Sequence, residues 1–302
     1  MMNFAQDCAS EFPPHLEDKI SAIFGVNGLD SNDYIIYSMR VELMAELQSK
    51  GIVVSNYNKK NFIAVKKDIK CNVNIDFSSS TGNIAVISSS KIISKIRFEG
   101  NDHITCISPT DLLSNYTITM RGSSNYLNIG NGCSSNGTEI FVDGRTRKVS
   151  IGKDCMFAWG VVIRTSDSHA IFDTKTRKII NLSKDINLDD HIWAGQGALI
   201  LKGVVLESGS VIAARSIVTK EFPRSSLIAG SPAKIIKGNV SWTRAAEPTG
   251  EEIDAVLDAI NRIDSTEFCQ SLDSFSTHFD VANTDVYTIP DSMSSGDTPS
   301  VS

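Results

Sequence analysis

The sequence predicts a mainly β chain whose short parallel strands wind around a three-sided prism, and three observations lead there. First, residues 188–223 fall into hexads (LDDHIW, AGQGAL, ILKGVV, LESGSV, IAARSI, VTKEFP) whose first positions are all apolar: Leu188, Ala194, Ile200, Leu206, Ile212 and Val218. The fifth positions, Ile192, Ala198, Val204, Ser210 and Ser216, are small or β-branched until Phe222. Second, the same frame is present upstream in IGKDCM, FAWGVV and IRTSDS, from Ile151, Phe157 and Ile163. Third, the period lengthens further upstream: Gly100, Gly122 and Gly144 stand 22 residues apart, as do Ile96, Ile118 and Ile140, and Ile107, Ile129 and Ile151. Units this short cannot bury their apolar edges alone, so they must stack on their neighbours. An apolar residue every sixth position, beside Gly, Asn and Asp that permit sharp corners, suits short strands around a narrow core. The handedness of the coil does not follow from the pattern, because parallel crossovers are ordinarily right-handed.

Around this body the chain divides into three parts. Residues 1–70 form an extension in which Tyr34, Met39, Leu43, Met44 and Leu47 recur at helical spacing before Gly51, which predicts one helix. Residues 71–244 form the β body, since from Val73 to Val240 only short β-type runs broken by turn residues occur. Residues 245–302 begin with a capping box, Thr249 with Glu252, ahead of a helix with the stripe Ile253, Val256, Leu257, Ile260 and Ile263. The rest is rich in Ser, Thr and Asp, and the last dozen residues read as disordered.

Composition narrows the function classes. No run reaches the roughly 20 apolar residues of a membrane span, and the N-terminus has acids and prolines where a secretion signal needs a basic start and an apolar stretch. The expected location is therefore the cytoplasm. Cys8, Cys71, Cys106, Cys133, Cys155 and Cys269 form no CxxC pair and read as reduced packing residues; Trp159 is read as packing too. After Arg244 there are twelve acidic residues and one basic, Arg262, so a tail of net −11 hides a body of +5 within the chain's −6. A mildly basic body suits an anionic ligand such as a nucleotide. Nucleic acid is not expected, because no Lys/Arg cluster is interleaved with aromatics.

The hexads stop at one place. From His169 to about Lys184 the frame is lost before it resumes at Leu188, which predicts a loop leaving the prism, where sites are commonly built. His169 is the candidate general base, since an imidazole near neutral pH can accept a hydroxyl proton. Asp167 and Asp173 flank it and either could orient its ring, as could a backbone carbonyl. Trp193, sixth in its hexad, should point away from the core. His191, two residues earlier, reads as a corner residue.

Four stretches together resemble the hexapeptide-repeat acyltransferases, in particular the polysialic acid and capsular polysaccharide O-acetyltransferases: SDSHAIFD (Ser166–Asp173), IINLSKDINLDDHIWAG (Ile179–Gly195), SVIAARSIVTKEFP (Ser210–Pro223) and AGSPAKIIKGNVSW (Ala229–Trp242). The resemblance covers about half the chain. It implies a left-handed parallel β-helix, acetyl-CoA as co-substrate without a metal, a sugar or polysaccharide hydroxyl as acceptor, and a homotrimer sharing its sites between subunits. It makes His169 the catalytic histidine and gives Trp193 a place against the acetyl donor or acceptor. Backbone near Gly195 and Ala213 would line the pantetheine arm, with Lys220, Lys234 and Lys237 facing the phosphates. The chain departs from the pattern at Ser168, Asp189 and Glu207, where that branch usually has Gly. Three alternatives stand beside this reading: acetyl transfer to an amine of a nucleotide sugar or to an antibiotic, a zinc carbonic anhydrase sharing the coil, which needs three histidine ligands, and a scaffold without activity.

Overall fold

A computed structural model describes residues 3–4 and 16–262 of the chain. The predicted coil is present, as a β-solenoid of about eight turns. Its ladder is parallel from Ile52–Ser55, which pairs with Asn72–Asp76, through to Ile217–Val218, which pairs with Leu199–Ile200. The solenoid thus begins about twenty residues before the position where the sequence pattern becomes visible.

The two periods correspond to two widths of turn. In the first half each turn has one four-residue strand and one long strand, such as Ile92–Asn101, Ser114–Ser123 and Ser134–Arg145. Ile96, Ile118 and Ile140 stack in register, as do Gly100, Gly122 and Gly144. These wide turns hold large side chains: Phe77 and Phe98 stack with centroids 5.2 Å apart, and Tyr116 is fully enclosed. In the second half the long strand divides into two short ones and the turn shrinks to three hexads. Leu188 lies on Leu206 and Leu199 on Ile217, each pair 18 residues apart. All first-position and fifth-position residues from Leu188 to Phe222 are buried. From Leu188 the inward positions hold only Ile, Leu, Val, Ala and Ser until the last turn, where Phe222 fits, while Phe157 fills the first narrow turn against Ala194.

The corners follow one rule. The fourth residue of successive hexads has positive φ: His191 (58°), Gly197 (68°), Gly203 (79°), Gly209 (77°) and Arg215 (58°). Glycine enters this region without steric cost, whereas a side chain there costs about 1–2 kcal/mol. Of the three departures from the family pattern, only Ser168 is left-handed (φ 68°).

Asp189 does carry a cost of another kind. Burial, followed by the charges of Asp190 and Glu207, raises its carboxyl to about 6, against a lowering hydrogen bond from Asn187. The folded chain therefore favours the protonated acid. That preference leaves stability intact below about pH 4 and erodes it as pH rises through about 6, by of order 1 kcal/mol once solvent screening of this half-buried group is allowed for. Asp189→Asn is expected to raise the urea midpoint at pH 8 and to leave it unchanged at pH 4.

Both ends of the coil are closed by antiparallel strands, Tyr34–Ser38 on Phe62–Lys66 and Ala233–Lys237 on Leu227–Gly230, which hides ladder edges that would otherwise invite another chain. The extension differs from expectation. Tyr34 belongs to a strand, Met39 to a connection, and the helix is only Met44–Ser49, because Tyr34, Ile35, Ile36 and Tyr37 form a continuous apolar run covered on both faces as a strand. A second helix, Leu16–Val26, lays Leu16, Ile20, Ile23 and Phe24 against the outer face of one sheet, including Tyr34, Ile36, Phe62 and Tyr126. At the other end the capping box forms as read: Glu252 accepts from Thr249 N–H at 2.8 Å and Thr249 Oγ1 from Glu252 N–H at 3.2 Å. Of the helical stripe only Ile260 is buried, over Gly209, while Ile253 and Leu257 stay exposed. Ile263, Cys8, Cys269 and the final residues lie outside the described residues.

Candidate active site

The excursion leaves the coil where the sequence placed it. The strand Val161–Arg164 ends one side, and Ile186–Leu188 resumes the ladder with Leu188 on Ile151, 37 residues later rather than 18. Between them residues 171–180 fold back on themselves as a small hairpin. Phe172 and Ile179 form an antiparallel bridge, Ile180 N–H donates to the Ile171 carbonyl at 2.8 Å, and Asp173 N–H donates to Lys178 at 2.9 Å.

The side chains at its base explain why this arm is held. Asn181 accepts the Ile171 N–H at 2.6 Å and donates to both the His169 carbonyl at 2.8 Å and Asp167 Oδ2 at 2.9 Å. Lys202, one turn further along the coil, reaches up to Asp167 and to the Asn181 carbonyl. The Lys202 and Asn181 bonds hold the Asp167 carboxyl below the usual range. Arg164 donates to the Ser166 carbonyl and to Ser168 Oγ, both at 2.8 Å, fixing the left-handed turn just before the histidine.

His169 itself is exposed, and its ring makes no hydrogen bond among the described residues. Its backbone is pinned and its imidazole is free. The two aspartates are already occupied: Asp167 joins the clamp with Lys202, and Asp173 Oδ1 closes its own turn by accepting from Lys175 N–H, Thr176 N–H and Thr176 Oγ1. Among the described residues neither carboxylate hydrogen-bonds to the His169 ring. Asn181, Lys202 and Arg164 escaped the sequence reading, since isolated polar residues carry no periodic signal; only their closeness in space reveals the clamp.

Trp193 points outward as its hexad position requires, 38 % exposed beside the wholly buried Ala194. Trp159 is not packing: it is 61 % exposed at a corner, where its ring lies over Gly137. Cys133 and Cys155 are buried packing residues, as expected. Gly195 is needed for closeness, since a Cβ there would sit 2.7 Å from the Ala214 nitrogen on the next turn. The Gly195 and Ala213 N–H groups donate within the ladder, to Ile212 and Ile228, and Gly195 is itself buried. Lys220 stands 5.5 Å over the Phe222 ring, and Lys234 and Lys237 lie exposed on the terminal strand. His191 is a corner residue, as read, but one with both ring nitrogens engaged: 2.7 Å from Asp154 Oδ2 and 2.8 Å from the Trp242 carbonyl. Among the described residues no three His, Cys, Asp or Glu side chains converge as a metal site would need.

No protein-family model matches the chain. A polysialic acid O-acetyltransferase of Escherichia coli O1:K1 / APEC is 44% identical over 96 residues, which are 32% of this chain and 31% of that protein. Another, of Neisseria meningitidis, is 35% identical over 98 residues, 32% of this chain and 46% of that one. The match therefore spans less than half the length of either relative. Among solved structures, the polysialic acid-specific acetyltransferase NeuO superposes with TM-score 0.56 at 29% identity, over 69% of this chain and 92% of its own. The polysialic acid O-acetyltransferase OatWY gives 0.52 at 26%, over 69% and 98%. This chain resembles the polysialic acid O-acetyltransferases. With that likeness the solenoid is a left-handed parallel β-helix, the one feature of the fold that periodicity left open.

Proposed function

We propose that the chain transfers an acetyl group from acetyl-CoA to a hydroxyl of a polysaccharide, of capsular, polysialic acid or lipopolysaccharide type, with His169 as general base. The observation that carries this is the arm: a rigid coil is interrupted once in its narrow half, and the clamped loop presents an unengaged imidazole. In this reading the His169 ring takes the acceptor's proton as the hydroxyl oxygen attacks the thioester carbon. The tetrahedral oxyanion collapses, the carbon–sulfur bond breaks, and CoA leaves as thiolate. Trp193 contacts the donor or acceptor, and a backbone N–H supplies an oxyanion donor. Direct transfer needs no acyl-enzyme, and among the described residues the cysteines do not offer one: Cys133 and Cys155 are enclosed, and burial lifts the Cys71 and Cys106 thiols to about 11 and about 12. Much of the rate then comes from holding two substrates together.

The single chain leaves this arm uncovered. Ile171, Phe172, Ile180 and Leu182 are 54, 55, 65 and 47 % exposed, an amount of apolar surface that favours a partner. A homotrimer, in which a neighbouring copy covers the arm, completes the proposed site. The donor would lie along the later turns near Gly195 and Ala213, with Lys220, Lys234 and Lys237 toward its phosphates. Dependence on acetyl-CoA places the reaction in the cytoplasm.

The test is acetyl-CoA turnover against a panel of capsular and lipopolysaccharide sugars, amino sugars and antibiotics. The expected product is an O-acetyl ester, cleaved by alkaline hydroxylamine but stable to it at neutral pH. A hydroxylamine-stable amide would favour the amine reading, and no turnover with any acceptor would refute the proposal.

A further inference from the structure

Trp193 does not stand alone on its side of the coil. The chain returns after the terminal hairpin and lays Trp242 beside it, with ring centroids 6.1 Å apart at 48°. Trp242 is itself enclosed, 5 % exposed, between two partners. The His191 ring stacks on it at 4.2 Å and 9°, and the Arg244 guanidinium carbon lies 5.5 Å from its centroid. The Trp242 Nε1–H donates to the His191 carbonyl at 3.0 Å, while the Trp242 carbonyl faces His191 Nε2 at 2.8 Å. Asp154 joins the two outer members: its Oδ2 meets His191 Nδ1 at 2.7 Å, and its Oδ1 accepts from Arg244 Nε at 3.0 Å and Nη2 at 2.8 Å. Arg244 reaches further, to Ser134 Oγ at 2.8 Å and the Gly132 carbonyl at 3.2 Å on an earlier turn. Asp154, His191, Trp242 and Arg244 thus close a ring that ties the returning strap across the coil.

His191 holds this ring together from a left-handed corner position that Gly197, Gly203 and Gly209 fill on the following corners, and that Asp154 and Arg215 also occupy as side-chain-bearing residues. Both of its ring nitrogens are engaged, one by Asp154 and one by the Trp242 carbonyl. A histidine kept at a strained corner, with this many engagements, fixes something beyond the corner. What adjoins it is Trp193, whose own strand is only Trp193–Ala194 and cannot by itself restrict an exposed indole.

We propose that Trp242, fixed by the ring of His191, Asp154 and Arg244, is a positioning residue that sets the orientation of Trp193 toward the substrates. This rests on the role given to Trp193 under the proposed function. Holding a large ring in one rotamer before substrate arrives lowers the ordering cost at the reacting centre.

The chain has three tryptophans, so Trp159→Phe/Trp242→Leu leaves Trp193 as the single reporter, with Trp159→Phe/Trp242→Phe as the conservative control. His191→Gly supplies an independent variant, because glycine suits the corner and the coil should stay folded. Time-resolved fluorescence anisotropy of Trp193 is expected to gain a fast component in the leucine variant and to remain slow in the phenylalanine one. In the otherwise unaltered chain, Trp242→Leu and His191→Gly should lower kcat about tenfold with KM for acetyl-CoA changed less than twofold, and Trp242→Phe should recover most of the rate. Trp193 motion unchanged in the leucine variant overturns the inference, as does released motion with kcat intact. A wild-type chain without turnover refutes the functional reading instead, and that outcome is seen before any variant is measured.

Discussion

His169→Ala is expected to lower kcat for acetyl transfer by about 10²–10⁴-fold, with the KM values for donor and acceptor little changed. The magnitude follows from what the ring supplies. A hydroxyl is a poor nucleophile until its proton leaves, and removing a positioned base costs roughly 3–5 kcal/mol of transition-state stabilisation. The fold should not notice, because the His169 ring bonds to nothing among the described residues while its carbonyl is what Asn181 holds. Thermal melting within a degree or two of wild type, together with the kinetic loss, is the predicted pair of results. A variant retaining the wild-type rate would remove the histidine from the mechanism.

The largest effect on stability is expected at Gly122. Its φ is 101°, and a Cβ there would lie 1.9 Å from the Gly144 carbonyl oxygen on the next turn. Gly100 meets Gly122 in the same way, also at 1.9 Å, so the three glycines form one stacked column at which successive backbones touch. Gly122→Ala must either break that column or push two turns apart. Both open the ladder in the middle of the solenoid, so the loss should exceed about 4 kcal/mol. Guanidinium melts should show a much lower midpoint, or the variant should accumulate unfolded. By contrast Gly160→Ala, where nothing lies within 4 Å of the added Cβ, carries only the backbone penalty of φ 69°, roughly 1 kcal/mol. The pair separates close approach from simple conformational freedom.

That column was legible in the sequence, and the reason is physical. A solenoid repeats the same contact at every turn, so glycines required by contact between turns recur at the length of a turn. The hexads from Leu188 to Val218 were legible for the same reason, and so was the arm, which is seen as an interruption in the repeat. Legibility ends where repetition does. The helix Leu16–Val26 has its own signal in Leu16, Ile20, Ile23 and Phe24, but it was overlooked beside a false helical spacing from Tyr34 to Leu47. The first turns of the coil, from Ile52, step by 21 residues (Val54, Ile75 and Ile96) and so fall out of the 22-residue frame that marks the later ones. The site divides in the same way. His169 and Trp193 stood out because of their place against the repeat and their resemblance to known motifs. The clamp of Asp167, Asn181 and Lys202, and the ring joining Asp154, His191, Trp242 and Arg244, link positions up to 90 residues apart. No one-dimensional pattern carries that information. Trp159 was misread because position within a hexad does not reveal whether a corner side chain folds inward or stands free.

The central claim is that the clamped arm holds the His169 imidazole against the reacting oxygen. The most direct measurement is a crystal structure of the assembled protein with CoA and an acceptor oligosaccharide. An imidazole nitrogen of His169 within about 2.6–3.2 Å of an acceptor hydroxyl, with the CoA sulfur in the same groove, is the predicted result. A His169 ring facing open solvent, with CoA and the sugar bound elsewhere, would contradict it.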